Sequence, residues 1–314
     1  MHHRPAFALT LRSVQLNNPA STSERPIPPE HDRHRSGPFA LPTGNPMPND
    51  TPSARELLRN AVKDKLARNE LVLSMTARLV RTVEIAAIAR TAGFDSIYVD
   101  MEHSSFSLDT TGQICMAALA AGVTPFVRVP GTSPEHIAQV LDGGALGVIV
   151  PHVMGPEDAK RAVHAAKFPP FGGRSFAGVL PHLGFRAFPT TDVFEAMNEA
   201  TMVVAMVETA EALAEVEGIA AVDGVDMLFV GTNDLCGALG VPGQLNHASV
   251  RDAFRKCFDA CRKHGKHLGL GGLGGQPQLL SEYIGMGARY VSSGTDLAFL
   301  VGEATARAKA LRAL

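Results

Sequence analysis

The sequence has no tryptophan, three tyrosines and four cysteines in 314 residues. Cysteines this sparse (Cys115, Cys236, Cys257, Cys261) cannot form the disulfide scaffold of a chain this long, and no secretory apolar segment precedes them. No apolar run reaches the length of a membrane span, so no membrane partner is expected. Neither sign of charge dominates, with 29 Lys and Arg against 31 Asp and Glu and a formal net charge of −2. That balance lacks the basic excess that phosphate-backbone binding demands, so nucleic acid is not an expected partner. What is present is 45% apolar residues, enough for one large core, in a chain expected to work in the cytoplasm.

Residues 1–52 stand apart. They hold about half of the chain's 21 prolines and the polar run His31-Asp32-Arg33-His34-Arg35, with no helical or alternating apolar pattern. Such a stretch cannot offset its ordering entropy by burial, which predicts a disordered Pro-rich tail over 1–52. From Ser53 to Leu314 short β-branched runs alternate with helix-length amphipathic ones. The runs are Leu71–Met75, Ser96–Val99, Pro125–Val129, Gly147–Val150, Met202–Val207, Asp226–Val230, His267–Leu270 and Arg289–Ser292. Helical segments between them include Thr82–Ala92, Pro134–Leu141, Pro156–Ala166, Glu211–Ala220 and Val250–His264. Eight strands alternating with helices predict an α/β fold, a (β/α)₈ barrel, over 53–314. Roughly fifty residues separate Val150 from Met202, a length expected of a lid or substrate loop.

Barrels of this kind carry chemistry at the carboxyl ends of their strands. Here those ends read Asp100-Met101-Glu102-His103, Val127-Arg128, Val207-Glu208-Thr209 and Gly231-Thr232-Asn233-Asp234. Glu208 and Asp234 suit a hard octahedral cation such as Mg²⁺ or Mn²⁺, with room for a chelating 2-oxo acid. The plainer alternative is that each acid caps the helix after its strand. Arg128, in an otherwise apolar strand, must meet an anion. That anion is either a developing enolate or a structural partner, Asp100 or Glu102. His103, beside Glu102, titrates in the range useful for proton transfer. The lysines all lie away from the strands' carboxyl ends, which argues against Schiff-base chemistry.

Two patterns are discounted. Gly269-Leu270-Gly271-Gly272-Leu273-Gly274 matches a dinucleotide-binding fingerprint but comes late in the chain, with no acid ending the next strand. Glycines that let the chain pass close to the site, or that cradle an anion, are the better account. Cys257 and Cys261, one helical turn apart, read as packed core cysteines and not as zinc ligands.

These residues together resemble the HpcH/HpaI aldolase family. The matching stretches are Ala92-Gly93-Phe94-Asp95 leading to Asp100-Met101-Glu102-His103, then Phe126-Val127-Arg128, Leu141-Asp142-Gly143-Gly144 and Val150-Pro151. They continue through Phe168-Pro169-Pro170 with Gly173-Arg174, Val207-Glu208-Thr209 and Gly231-Thr232-Asn233-Asp234-Leu235. The resemblance implies a class II aldolase that reversibly cleaves a 4-hydroxy-2-oxo acid to pyruvate and an aldehyde. It also implies a divalent metal (Mg²⁺, Mn²⁺ or Co²⁺) on Glu208 and Asp234. By the same resemblance Arg128 holds the pyruvyl oxygen, His103 paired with Asp142 moves the hydroxyl proton, and the amides of Asn233 and Asp234 receive the carboxylate. A homo-trimer or homo-hexamer with the C-terminal helix, Leu297–Leu314, exchanged between subunits is implied as well. Related readings are an oxaloacetate decarboxylase, an enolate-trapping synthase, or a lapsed barrel that only binds 2-oxo acids. The chain departs from the family at Met206, where a glutamine is common, at Met75, near a usual tryptophan, and at Ser175-Phe176, where a glycine usually follows the arginine.

Overall fold

The computed structural model describes residues 52–314, so the expected tail over 1–52 lies outside the described residues but for its last member. Eight strands run β1 Val72–Ala77, β2 Ser96–Asp100, β3 Thr124–Arg128, β4 Gly147–Val150, β5 Met202–Val207, β6 Met227–Gly231, β7 His267–Gly271 and β8 Tyr290–Thr295. Each pairs in parallel with the next and β8 returns to β1, which closes a (β/α)₈ barrel. Strands buried on both faces need near-continuous apolar runs, and β2 to β5 are buried at every residue.

Alternation along each strand divides the core in two. Inward-facing Tyr98, Phe126, Ile149, Met206, Phe229 and Tyr290 belong to one cluster filling the barrel. Their outward neighbours, among them Val99, Val127, Val148, Val207 and Leu270, pack under the helices. Bulky rings inside a narrow barrel need gaps opposite them. A Cβ on Gly147 would stand 2.1 Å from the Phe126 ring, and one on Gly269 or Gly271 within 2.9 Å of Phe229. The glycine-rich run is therefore two interior spacers on β7 followed by a turn at Gly272, whose φ of +81° suits glycine. Val62 and Leu66, on the Ala61–Ala67 helix leading into β1, join the interior cluster and close its amino-terminal end.

The long connection after β4 does not become a lid over the mouth. It contains helices Pro156–Ala166 and Thr190–Ala200 and a short 3₁₀ turn at Pro181–Leu183. Phe168, Leu180, Val193 and Met197 form a separate small core with Ala54, Leu58, Leu146 and Ala200. Leu146 and Ala200 lead into β4 and β5, so this core lies at the amino-terminal end, away from the chemistry. Phe168 stacks on Phe194 at 4.5 Å, with Phe176 edge-on to both. The C-terminal helix, Asp296–Arg312, is buried only at Asp296 and exposed from Leu297 onward. Among the described residues no helix is long and apolar enough to cross a membrane.

Candidate active site

A cavity of about 630 Å³ opens at the carboxyl ends of the strands, lined by Arg78, His103, Arg128, Met206, Asn233 and Asp234 among others. The mouth around it is a continuous belt of charged side chains, one strand end handing to the next. Arg128, at the end of β3, donates from Nε to Asp100 Oδ1 at 2.9 Å and from Nη2 to Oδ2 at 2.6 Å. Arg78, just after β1, donates from Nε to the same Oδ2 at 2.5 Å. Backbone amides of Glu102 and His103 complete the set of donors to Asp100 Oδ1. Arg128 Nη1 lies 2.7 Å from Glu102 Oε2, close in charge but misaligned as a hydrogen bond, so that oxygen keeps no bonded donor. Glu102 Oε1 in turn sits 2.8 Å from His152 Nε2, and the His152 amide donates to Glu208 Oε1 at 2.7 Å.

Burial of Asp100 works against its charge. The Arg128 hydrogen bonds and charge, then the charge of Arg78, outweigh that cost and hold its carboxyl below the usual value. Burial likewise opposes the Arg128 cation, and the surrounding Tyr98, Asp100 and Glu102 overcome it, so its pKa is raised. The structural ion pair that sequence offered as an alternative for Arg128 is thus present. The same guanidinium still lines the cavity.

Glu208 and Asp234 are not helix caps. After β5 the cap is Thr209, whose hydroxyl accepts from the Ala212 amide. Asp234 is the third residue of the Thr232–Ala238 helix, whose N-terminus has no side-chain cap. Glu208 is buried, and its carboxyl is pushed up first by that burial and further by the negative charges of Glu102 and Asp234, against the opposing His152 contacts. A buried acid raised by its own acidic neighbours is a place where a cation would be welcome. Among the described residues no three His, Cys, Asp or Glu side chains form a ready-made metal cluster. Glu208 and Asp234, as two oxygen donors, suit a hard cation whose other positions are left to water and substrate oxygen, and not a closed zinc site of nitrogen and sulfur ligands.

The other expected residues divide. Asn233 and Asp234 line the cavity together. His103 also lines it, half-exposed, with Nε2 3.9 Å from Glu102 Oε2. Asp142 does not meet it within the chain. It ends the Pro134–Asp142 helix and accepts from the buried Arg174 Nη2 at 2.6 Å, its carboxylate 39% exposed. Met206 lines the cavity where its inward position on β5 puts it. Sequence reasoning missed His152, whose only signal was its place directly after the Val150-Pro151 strand end, and Arg78. His152 adopts a φ of +55°, a backbone region uncommon for residues with a Cβ, and joins Glu102 to Glu208. Among the described residues no lysine lines the cavity. The buried Lys167 donates to the carbonyls of Asn198 and Thr201, at the entry to β5 and the opposite end of the barrel. Cys257 and Cys261 are buried free thiols in the helical layer, as expected of core cysteines.

A family model described as HpcH/HpaI aldolase/citrate lyase matches residues 79–302. A 4-hydroxy-4-methyl-2-oxoglutarate aldolase from Hapsidospora irregularis is 41% identical over 216 residues, covering 68% of this chain and 80% of its own length. A 4-hydroxy-2-oxo-heptane-1,7-dioate aldolase from Klebsiella pneumoniae is 32% identical over 80% of this chain and 93% of its own. The solved structure of an HpcH/HpaI aldolase from Desulfitobacterium hafniense superposes with a TM-score of 0.77 at 28% identity, covering 80% of this chain and 96% of that one.

Proposed function

Because the chain belongs to the HpcH/HpaI aldolase/citrate lyase family, we propose that it is a class II aldolase, a carbon–carbon lyase that reversibly cleaves a 4-hydroxy-2-oxo acid to pyruvate and an aldehyde. The observation that carries this is the buried acid Glu208 at the end of β5, which feels the charge of Asp234, with Asp234 and Arg128 both lining the cavity. A divalent cation (Mg²⁺, Mn²⁺ or Co²⁺) on Glu208 and Asp234 would supply Lewis-acid stabilisation of the enolate charge.

The protein's own groups do the rest. Arg128, held in place by Asp100, meets the 2-oxo oxygen and stabilises it as negative charge develops. The backbone amides of Asn233 and Asp234 receive the substrate carboxylate. His103 takes the proton from the C4 hydroxyl; the C3–C4 bond breaks, its electron pair becoming the pyruvate enolate, and a proton then returns to C3. His103 and Asp142 are both partly exposed and separate in one chain, so their pairing belongs between neighbouring subunits of a trimer or hexamer. The exposed Leu297, Phe299, Leu300 and Val301 of the C-terminal helix suit its exchange between those subunits.

The test is pyruvate release from a panel of 4-hydroxy-2-oxo acids by wild type and Glu208→Ala. Release by wild type and a loss of about 10²-fold or more in the variant is expected. Undiminished metal-dependent release by Glu208→Ala would remove the assignment.

A further inference from the structure

Arg78 plays no part in the steps above, yet it is built into the cavity with care. Its main chain is pinned from behind by Asp296. That buried carboxylate accepts the amides of Arg78 at 3.0 Å, Leu79 at 3.0 Å and Val80 at 2.8 Å, together with the Leu297 amide that opens the C-terminal helix. The side chain is fixed at its neck, where Nε donates to Asp100. Beyond that bond the guanidinium faces the cavity, with the side chain 35% exposed. Among the described residues neither Nη1 nor Nη2 donates to any protein oxygen.

The charge arrangement makes this unusual. Asp100 already receives two hydrogen bonds from Arg128, and Glu102 sits against Arg128 and His152. The fork of Arg78 is therefore a preorganised cation whose nitrogens still need an acceptor, and such a fork matches a carboxylate. We propose that Arg78 is a specificity-determining residue that receives the second carboxylate of a 2-oxo diacid. The inference rests on the proposed aldolase reading for where the substrate lies. Arg78 Nε and Arg128 Nη2 are bridged by a single oxygen, Asp100 Oδ2. A ligand whose 2-oxo group meets Arg128 thus reaches Arg78 within a few bonds, which favours a five-carbon diacid whose far carboxylate is attached to C4. In the cleavage direction that carboxylate departs with the carbonyl fragment, so the second product is itself a short oxo acid and not a simple aldehyde.

Binding, read by calorimetry on the Mg²⁺-loaded full chain, tests this without requiring turnover. The probes are 2-oxoglutarate and 2-oxopentanoate, equal in chain length and different only in the far carboxylate. Wild type is expected to bind the diacid about 10- to 100-fold more tightly, the range of a charge-assisted carboxylate contact. Arg78→Met should lose that preference and Arg78→Lys should retain part of it. Arg81→Met, which alters an arginine bonded instead to Ser105, should leave the preference intact. Equal binding of the two probes by wild type, or an undiminished preference in Arg78→Met, would overturn the proposal and reduce Arg78 to a structural partner of Asp100. Absence of any aldol cleavage, by contrast, counts against the aldolase reading alone, because the ratio of the two affinities still reports on Arg78.

Discussion

Replacing Asp100 with asparagine removes a buried charge on which the mouth depends. Its side chain is fully buried and takes three side-chain hydrogen bonds from Arg128 and Arg78 plus two from backbone amides. Asparagine keeps the size but leaves two arginines without their shared anion, and one of the two is almost wholly buried. Breaking a buried pair from one side costs about 3–5 kcal/mol. For a domain of this size that corresponds to a fall in Tm of roughly 6–20 °C. Thermal unfolding followed by circular dichroism at neutral pH measures it, with Glu157→Gln as comparator, since that variant removes only the exposed Lys160–Glu157 pair. The sign with pH follows from the lowered carboxyl. Its contribution is fully present above the ordinary aspartate pKa and is lost as pH falls through the lower folded value, so the two proteins converge only in acid. A Tm for Asp100→Asn within about 2 °C of wild type, like that of the comparator, would refute the reasoning.

Gly147→Ala should overpack the barrel interior, because its Cβ would meet the Phe126 ring at 2.1 Å, and is expected to cost about 1–3 kcal/mol or more in a denaturant melt. An unchanged midpoint would show that Phe126 can move aside. Glu208→Gln should part stability from metal binding. With its folded pKa raised, Glu208 costs stability that accumulates as pH rises from the ordinary glutamate value to the folded one and is fully in force above it. The metal-free variant should therefore melt no lower than wild type at neutral pH, while saturating Mg²⁺ should raise the Tm of wild type and not of the variant. A Mg²⁺ shift preserved in Glu208→Gln would show that the ion binds elsewhere.

The barrel was legible because strands buried on both faces write themselves as uninterrupted apolar runs. Each of the eight expected strands is present, with ends moved by three residues at most, as at β8, which extends to Thr295. The Glu211–Ala220 helix was read as one but breaks at Glu215 into Ala210–Ala214 and Val216–Ala220. The connection after β4 resembled a lid because its partners are remote in sequence: Phe168 and Val193 pack with Ala54 and Leu58, which no local pattern announces. Polar strand ends located Glu208, Asp234 and Arg128, since position in a barrel alone confers their setting. His152 and Arg78 escaped notice for a different reason. A lone histidine after a proline and a lone arginine after an alanine carry no periodicity. Each gains meaning only from groups far away in sequence, Glu102 and Glu208 for the first, Asp100 and Asp296 for the second.

The most direct test of the central claim is pyruvate release by metal-stripped protein over a panel of 4-hydroxy-2-oxo acids, before and after adding Mg²⁺, Mn²⁺ or Co²⁺. The account predicts negligible release without metal and its restoration on addition, with at least one short diacid among the substrates cleaved. Folded protein that releases no pyruvate with any of the three ions, or releases it equally well without them, would contradict the account.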